Sequence, residues 1–168
     1  MNTTFKILRA VAVLVVLVAG ALVANAAPAK DGDPVLIGTV WKGKLTQRGE
    51  YQGVGGSPPE FDCEFTITKR DGEKFEAELF EKTDDLKLTY LIRGTITPVD
   101  KDKPGKGYKV EFVSKGAKGV ENTEAILNIP YTATLQGKKL KGTWKFPAND
   151  DNTTLEGTFD FDLAPKKD

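Results

Sequence analysis

The side chains of this chain that could do chemistry are carboxylates, a single thiol and a set of aromatic residues; there is no histidine. Without histidine a Ser-His-Asp or Cys-His nucleophile pair cannot be built, nor can His-based metal sites. One cysteine cannot form a thiolate zinc cluster, and no glycine-rich loop ending in Lys-Ser or Lys-Thr offers a phosphate cradle. Carboxylates remain. Asp160 and Asp162 stand two apart, which places both on one face of a strand, and paired acids do glycosidase work when their pKa values are pushed apart. On an exposed alternating face, however, such acids are ordinary solvated anions. The expectation is a protein that is not an enzyme and uses no cofactor.

Glu64 and Glu78 are weak metal candidates. The strand register read below sets them opposite each other, where like charges destabilise unless Lys87 or a bound Ca²⁺ offsets them. The stretch Asn149-Asp150-Asp151-Asn152 is oxygen-rich but lacks the spacing of a calcium loop. Cys63 alternates in phase with Phe61, Phe65 and Ile67 and reads as a small buried residue. Trp41, Tyr90, Tyr108, Tyr131 and Trp144 are the binding candidates, because their rings could line an interior while their polar tips hold a ligand. The competing reading is that they fill a core.

What positions these residues is a period-two pattern. From Val35 onward apolar residues recur at alternate positions, and no stretch of twelve keeps the helical i, i+3, i+4 spacing. Phe61, Cys63, Phe65 and Ile67 form one inward set, and Phe75, Ala77 and Leu79 another. Parity pairs Phe65 with Ala77 and Ile67 with Phe75, leaving a three-residue loop closed by Gly72. Further strands are expected at Leu36 to Gln47, Lys87 to Thr97, Tyr108 to Ser114, Tyr131 to Leu135, Leu140 to Phe146 and Thr154 to Leu163. Between Leu135 and Leu140 parity demands a two-residue turn, Gly137-Lys138, which sets Tyr131 opposite Trp144.

The count is about eight antiparallel strands in an all-β meander. Closure into an up-and-down barrel would remove exposed edges, and a two-sheet sandwich is the alternative. The segment Arg48 to Glu60 reads as a lid or simple slack, and Gly116 to Asn128 as a short helix or an irregular excursion.

A five-residue element recurs along the chain. Leu140-Lys-Gly142-Thr-Trp144 is echoed by Leu155-Glu-Gly157-Thr-Phe159, by Leu36-Ile-Gly38-Thr-Val40 and by Ile92-Arg-Gly94-Thr-Ile96. Pairing the two C-terminal copies sets Gly142 against Phe159 and Trp144 against Gly157, so each ring covers a position without a side chain. The same register pairs Lys141 with Asp160, Lys139 with Asp162 and Lys145 with Glu156 on the outer face. Opening on Gly-Thr-Val-Trp and closing on Gly-Thr-Trp and Gly-Thr-Phe strands, the chain resembles the lipocalin and avidin group of small-ligand barrels. It is also similar to small exported bacterial β proteins of no assigned function. The first resemblance implies a closed barrel that holds a small ligand.

The N-terminus supplies an address. Lys6 and Arg9 precede an uncharged, mostly apolar run from Ala10 to Ala24 and then Ala24-Asn25-Ala26, the order of a secretory signal peptide. The run is shorter than the roughly 20 residues that span a bilayer. The expected division is a signal peptide at 1–26, a flexible segment at 27–34, one β domain at 35–164 and a tail at 165–168. Cleavage would leave 22 Lys and Arg against 24 Asp and Glu, a net charge of −2, without the basic surface nucleic acid needs. The combined expectation is an exported, monomeric β-barrel, secreted, periplasmic or in the cell envelope. It would bind a small apolar or amphipathic molecule or a protein partner, with no membrane span after cleavage. The alternative is a β-sandwich envelope or cell-surface module that recognises glycan.

Overall fold

The computed structural model describes residues 35–50, 60–84, 87–119, 128–147 and 153–165. The expected signal peptide, the flexible segment after it, the Asn149–Asn152 stretch, and most of the Arg48–Glu60 and Gly116–Asn128 connections lie outside the described residues. Eight strands follow one another: β1 Val40–Thr46, β2 Glu60–Asp71, β3 Lys74–Lys82, β4 Lys87–Pro98, β5 Tyr108–Ala117, β6 Pro130–Gln136, β7 Lys139–Lys145 and β8 Glu156–Leu163. Each pairs antiparallel with the next and β8 pairs with β1, so the meander closes into a barrel. Closure removes the sandwich alternative.

The alternation that predicts the strands also sorts inside from outside. Phe61, Cys63, Phe65 and Ile67 on β2 are buried, as are Phe75, Ala77 and Leu79 on β3. The middle of the barrel is filled by rings: Phe161 lies 5.0 Å from Phe159, Phe159 is 5.8 Å from Phe112, and Phe112 is 5.1 Å from Phe65. Phe112 also stacks on Tyr131 at 4.7 Å and 9°.

The registers of β6 with β7 and of β7 with β8 follow the parity argument. Tyr131 faces Trp144, Gly142 faces Phe159, and Trp144 faces Gly157. The β2–β3 hairpin does not. Phe65 pairs with Leu79 and Ile67 with Ala77, and the turn is the two-residue Gly72-Glu73 with Gly72 at φ 54°. Thr68 forms a bulge between Ile67 and Lys69. An extra residue on one strand changes parity just as a third loop residue would, so the apolar faces stay inward with the tighter turn.

The first and last strands start later than expected, at Val40 and Glu156, and β5 continues to Ala117. The Gly38-Thr39 copy of the repeat is not in a strand: Gly38 has φ 83°, and its N–H donates to the Ile67 carbonyl. Ahead of it Val35 is 4 % exposed and belongs to the core. The repeat is a strand type in β4, β7 and β8 and a turn before β1.

Charges on the outside are arranged in rows that run around the barrel. Register places Lys141, Asp160, Lys44, Asp62 and Lys82 side by side on β7, β8, β1, β2 and β3. The Lys141–Asp160 and Lys44–Asp62 contacts are 2.6 and 2.7 Å. Hydrogen bonds to Asp62 and Glu60 push Lys44 up to about 12, and Lys44 in turn holds Asp62 below its usual range. One row over, Lys139, Asp162, Lys42 and Glu64 repeat the alternation, with contacts of 2.7 Å for Lys139–Asp162 and for Lys42–Glu64. These pairs are open to solvent, so each contributes little alone and their role is to fix register across the closing seam. Asp160→Lys would set three lysines in a row and is expected to cost about 0.5–1 kcal/mol. Lys141→Asp should recover only about half, because Lys44 still faces the new lysine; a double-mutant cycle in urea without coupling would reject the pairing.

Candidate functional site

A closed meander puts alternate connections at opposite ends. The two-residue turns Gly72-Glu73 and Gly137-Lys138 lie at one end, together with the 99–107 connection, which carries a 3-10 turn at Pro104–Lys106. Connections 47–59, 83–86, 118–129 and 146–155 lie at the other, the loop-bearing end. This splits the five aromatic candidates. Trp41 is the second residue of β1 and Tyr108 the first of β5, both at the hairpin end, whereas Tyr90, Tyr131 and Trp144 lie toward the loop-bearing end. Trp41, Tyr131 and Trp144 are buried, while Tyr90 and Tyr108 are partly buried and pack against the core. Tyr131 stacks on Trp144 at 6.4 Å, and the Trp144 indole N–H donates to the Thr46 carbonyl at 3.1 Å.

The structure adds a residue that the sequence reading passed over. Glu81 continues the odd-numbered inward set of β3 past Leu79 and is 5 % exposed inside the barrel. Its cross-strand neighbours are Cys63 on β2 and Leu88 on β4. The Tyr90 hydroxyl donates to its carboxyl group. Among the described residues the other buried polar side chains are Ser114 and Thr153, and no lysine or arginine is buried. Ser114 Oγ accepts from the Ile129 N–H at 3.0 Å, holding the chain as it re-enters the barrel.

Electrostatics follow from this burial. Loss of water pushes Glu81 up to about 7, with the Tyr90 hydrogen bond opposing part of the rise. Burial, reinforced by Glu81, also raises Tyr90, Tyr131 and the Cys63 thiol, so all three stay neutral. Cys63 is therefore no nucleophile: a reactive thiol needs a lowered pKa and access, and Cys63 has neither. The group can hold a proton, donate hydrogen bonds from two phenols or accept them at the carboxyl.

The carboxylate pairs considered from sequence are dispersed. Glu64 faces Phe80 and binds Lys42 at 2.7 Å; Glu78 faces Thr66 and binds Lys118 at 2.6 Å. They are not opposite each other, because the turn falls at Gly72-Glu73 rather than one to two residues earlier and the Thr68 bulge takes back only one position of that shift, and Lys87 faces Lys82 rather than either acid. Asp160 and Asp162 point outward into ion pairs with Lys141 and Lys139. Among the described residues no three His, Cys, Asp or Glu side chains cluster. Exposed large apolar side chains there are Leu36, Ile37, Leu91 and Val99, none of them an aromatic platform for a sugar ring. In sequence comparison, no protein-family model and no curated protein matches the chain.

Proposed function

We propose that the protein is an exported, non-enzymatic binding barrel that takes its ligand, a small molecule with an apolar part, at the loop-bearing end. One observation carries this reading: a carboxyl and two phenols lie inside the barrel toward that end, next to a middle that is filled by phenylalanine rings. A glutamate on an inward position costs stability when ionised, and leucine there would serve packing better. Loops carried on a rigid scaffold are where binding surfaces are built. Histidine-free composition and outward ion-paired carboxylates support a role without covalent chemistry. The outer face, charged in rows around β7, β8, β1 and β2, supports a barrel that meets water. The N-terminal signal pattern supports export.

The two tryptophans supply the test, since they sit at opposite ends. In Trp41→Phe the remaining Trp144 is expected to shift its emission on addition of amphipathic ligands, whereas in Trp144→Phe the remaining Trp41 is expected to stay silent. A response from Trp41 alone would place binding at the wrong end, and silence from both across a broad panel would end the proposal.

A further inference from the structure

We propose that the hairpin end docks on an anionic membrane surface, its free lysines meeting lipid phosphates while Leu36, Ile37 and Val99 enter the apolar layer beneath them. This is independent of what the loop-bearing end binds. Of the four large apolar side chains exposed among the described residues, three stand at the hairpin end: Leu36 at 38 %, Ile37 at 64 % and Val99 at 56 %. Neither segment is slack. Leu36–Thr39 is a turn closed by the Thr39 N–H on the Leu36 carbonyl at 2.9 Å, with Gly38 at φ 83° in the position that favours glycine. The Gly38 N–H ties this turn to the Ile67 carbonyl of β2 at 2.8 Å, and buried Val35 pins it from below. The Val99 N–H donates to the Gly107 carbonyl at 3.0 Å, fixing the base of the 99–107 connection. Turn tips ordinarily carry polar residues. Built turns that hold isoleucine and valine out to solvent fit a partner that is apolar where they touch it.

The rim around these side chains is basic. Segments 69–74, 99–109 and 136–139 carry nine Lys and Arg against four Asp and Glu, an excess of five, and 35–40 and 163–165 carry no charge, although the whole chain balances 24 against 24. Lys69, Lys106, Lys109 and Lys139 are held by Glu76, Asp100, Glu111 and Asp162. Lys101, Lys103 and Lys138 are exposed and, among the described residues, stand in no salt bridge. Backbone hydrogen bonds make the rim continuous. The Lys138 carbonyl accepts from Leu163 at 2.9 Å and the Val40 carbonyl from Ala164 at 2.8 Å, so the Gly137-Lys138 and Leu36–Thr39 turns are linked through the end of β8. The Glu73 carbonyl accepts from Ile96 at 2.8 Å, joining the β2–β3 tip to the strand that leads to Val99. Lysines near an anionic leaflet are attracted to it, and aliphatic side chains among them bury at the boundary of headgroups and acyl chains. A nucleic acid would use the charge but leave Ile37 and Val99 in water. Docked in this way, the barrel turns its loop-bearing end away from the lipid.

Lipid vesicles supply the test. The chain's single cysteine, Cys63, is buried, so Val99→Cys carries the one accessible thiol and takes a polarity-sensitive fluorophore there; Thr143→Cys, exposed on the outer face of β7, is the control. On vesicles of phosphatidylglycerol mixed with phosphatidylcholine the Val99 label is expected to shift to the blue, and the Thr143 label to stay unchanged. On phosphatidylcholine alone neither should respond. In cosedimentation with the mixed vesicles, Lys101→Glu, Lys103→Glu and Lys138→Glu together should lower the partition coefficient about a hundredfold. Ile37→Asp should lower it about tenfold, with an unchanged melting temperature because Ile37 packs on nothing that its loss would empty. Equal binding to phosphatidylcholine, a response at Thr143 instead of Val99, or no binding to either vesicle would each overturn the proposal. Wild-type binding by Ile37→Asp, with loss only in the lysine variant, would also overturn it and assign this end to a soluble polyanion such as nucleic acid.

Discussion

Glu81→Gln is expected to melt later than the wild-type protein at pH 8 and to lose most of that advantage by pH 5. Between about 4.5 and 7 the folded state keeps a proton on Glu81 that the unfolded chain releases. The unfolded state then binds fewer protons, so stability falls as pH rises through this window. Below the window the buried carboxyl is neutral and costs nothing extra; above it the full penalty is present. A shift of this size corresponds to about 3 kcal/mol at pH 8. Glutamine keeps the shape and an acceptor for Tyr90 but cannot ionise. The gap between variant and wild type should therefore widen by about 2–3 kcal/mol from pH 5 to pH 8. In a domain of this size that is roughly 10 °C in melting temperature. Parallel stability curves for the two proteins would mean that Glu81 ionises as freely in the barrel as in the unfolded chain.

That residue shows where the sequence is legible and where it is not. Strand existence and facing follow from alternation: Tyr131, Ala133 and Leu135 or Leu140, Gly142 and Trp144 can face only one way if a core is to form. Glu81 is spelled in the same code, in phase with Phe75, Ala77 and Leu79, and is hidden only by its type. An acid at the end of an apolar run reads as the place where a strand leaves the core, yet β3 carries it inside. The signal to heed is a charged residue in phase with an inward set, two positions past the last apolar one.

The β2–β3 hairpin fails for a different reason. Parity requires one extra residue somewhere between Ile67 and Phe75, and a bulge at Thr68 meets that requirement as well as a longer loop does. Thr68, Lys69 and Arg70 are all polar, so nothing in their types marks the bulge. The error then carried to Glu64 and Glu78, whose apparent opposition depended on that register. Closure, which the structure bears out, is favoured in the sequence only by the need to remove exposed edges and is not written in any one strand. It depends on strand tilt and stagger accumulated over the whole sheet, which no local pattern records. Separation of Tyr90, Tyr131 and Trp144 from Trp41 and Tyr108, by contrast, follows from counting strands once the meander is accepted.

Gly157→Ala is expected to be among the most damaging single methyl additions in the protein, costing about 3 kcal/mol or more from overpacking and a lost buried hydrogen bond. The space its Cβ would occupy holds the Thr46 carbonyl of β1, with the Trp144 indole nitrogen 2.7 Å away. Two strands and an indole thus meet at a position that only a residue without a side chain can fill. Moving the Thr46 carbonyl outward breaks its bond from Trp144 and loosens β1 from β8, where Thr46 Oγ1 also accepts from the Thr158 N–H at 3.1 Å. The repeated Gly-Thr element is thereby a closure device: the glycine of one strand admits the ring of its neighbour and the backbone of the first strand. Gly105→Ala serves as the control, since a methyl there meets nothing within 4 Å, and should change stability by less than about 0.5 kcal/mol. Because part of the cost runs through the indole bond, Gly157→Ala should cost about 1 kcal/mol less in a Trp144→Phe background. A melting temperature for Gly157→Ala equal to that of Gly105→Ala would mean that the first and last strands do not meet at this point, and the closed barrel would have to be redrawn as an open sheet.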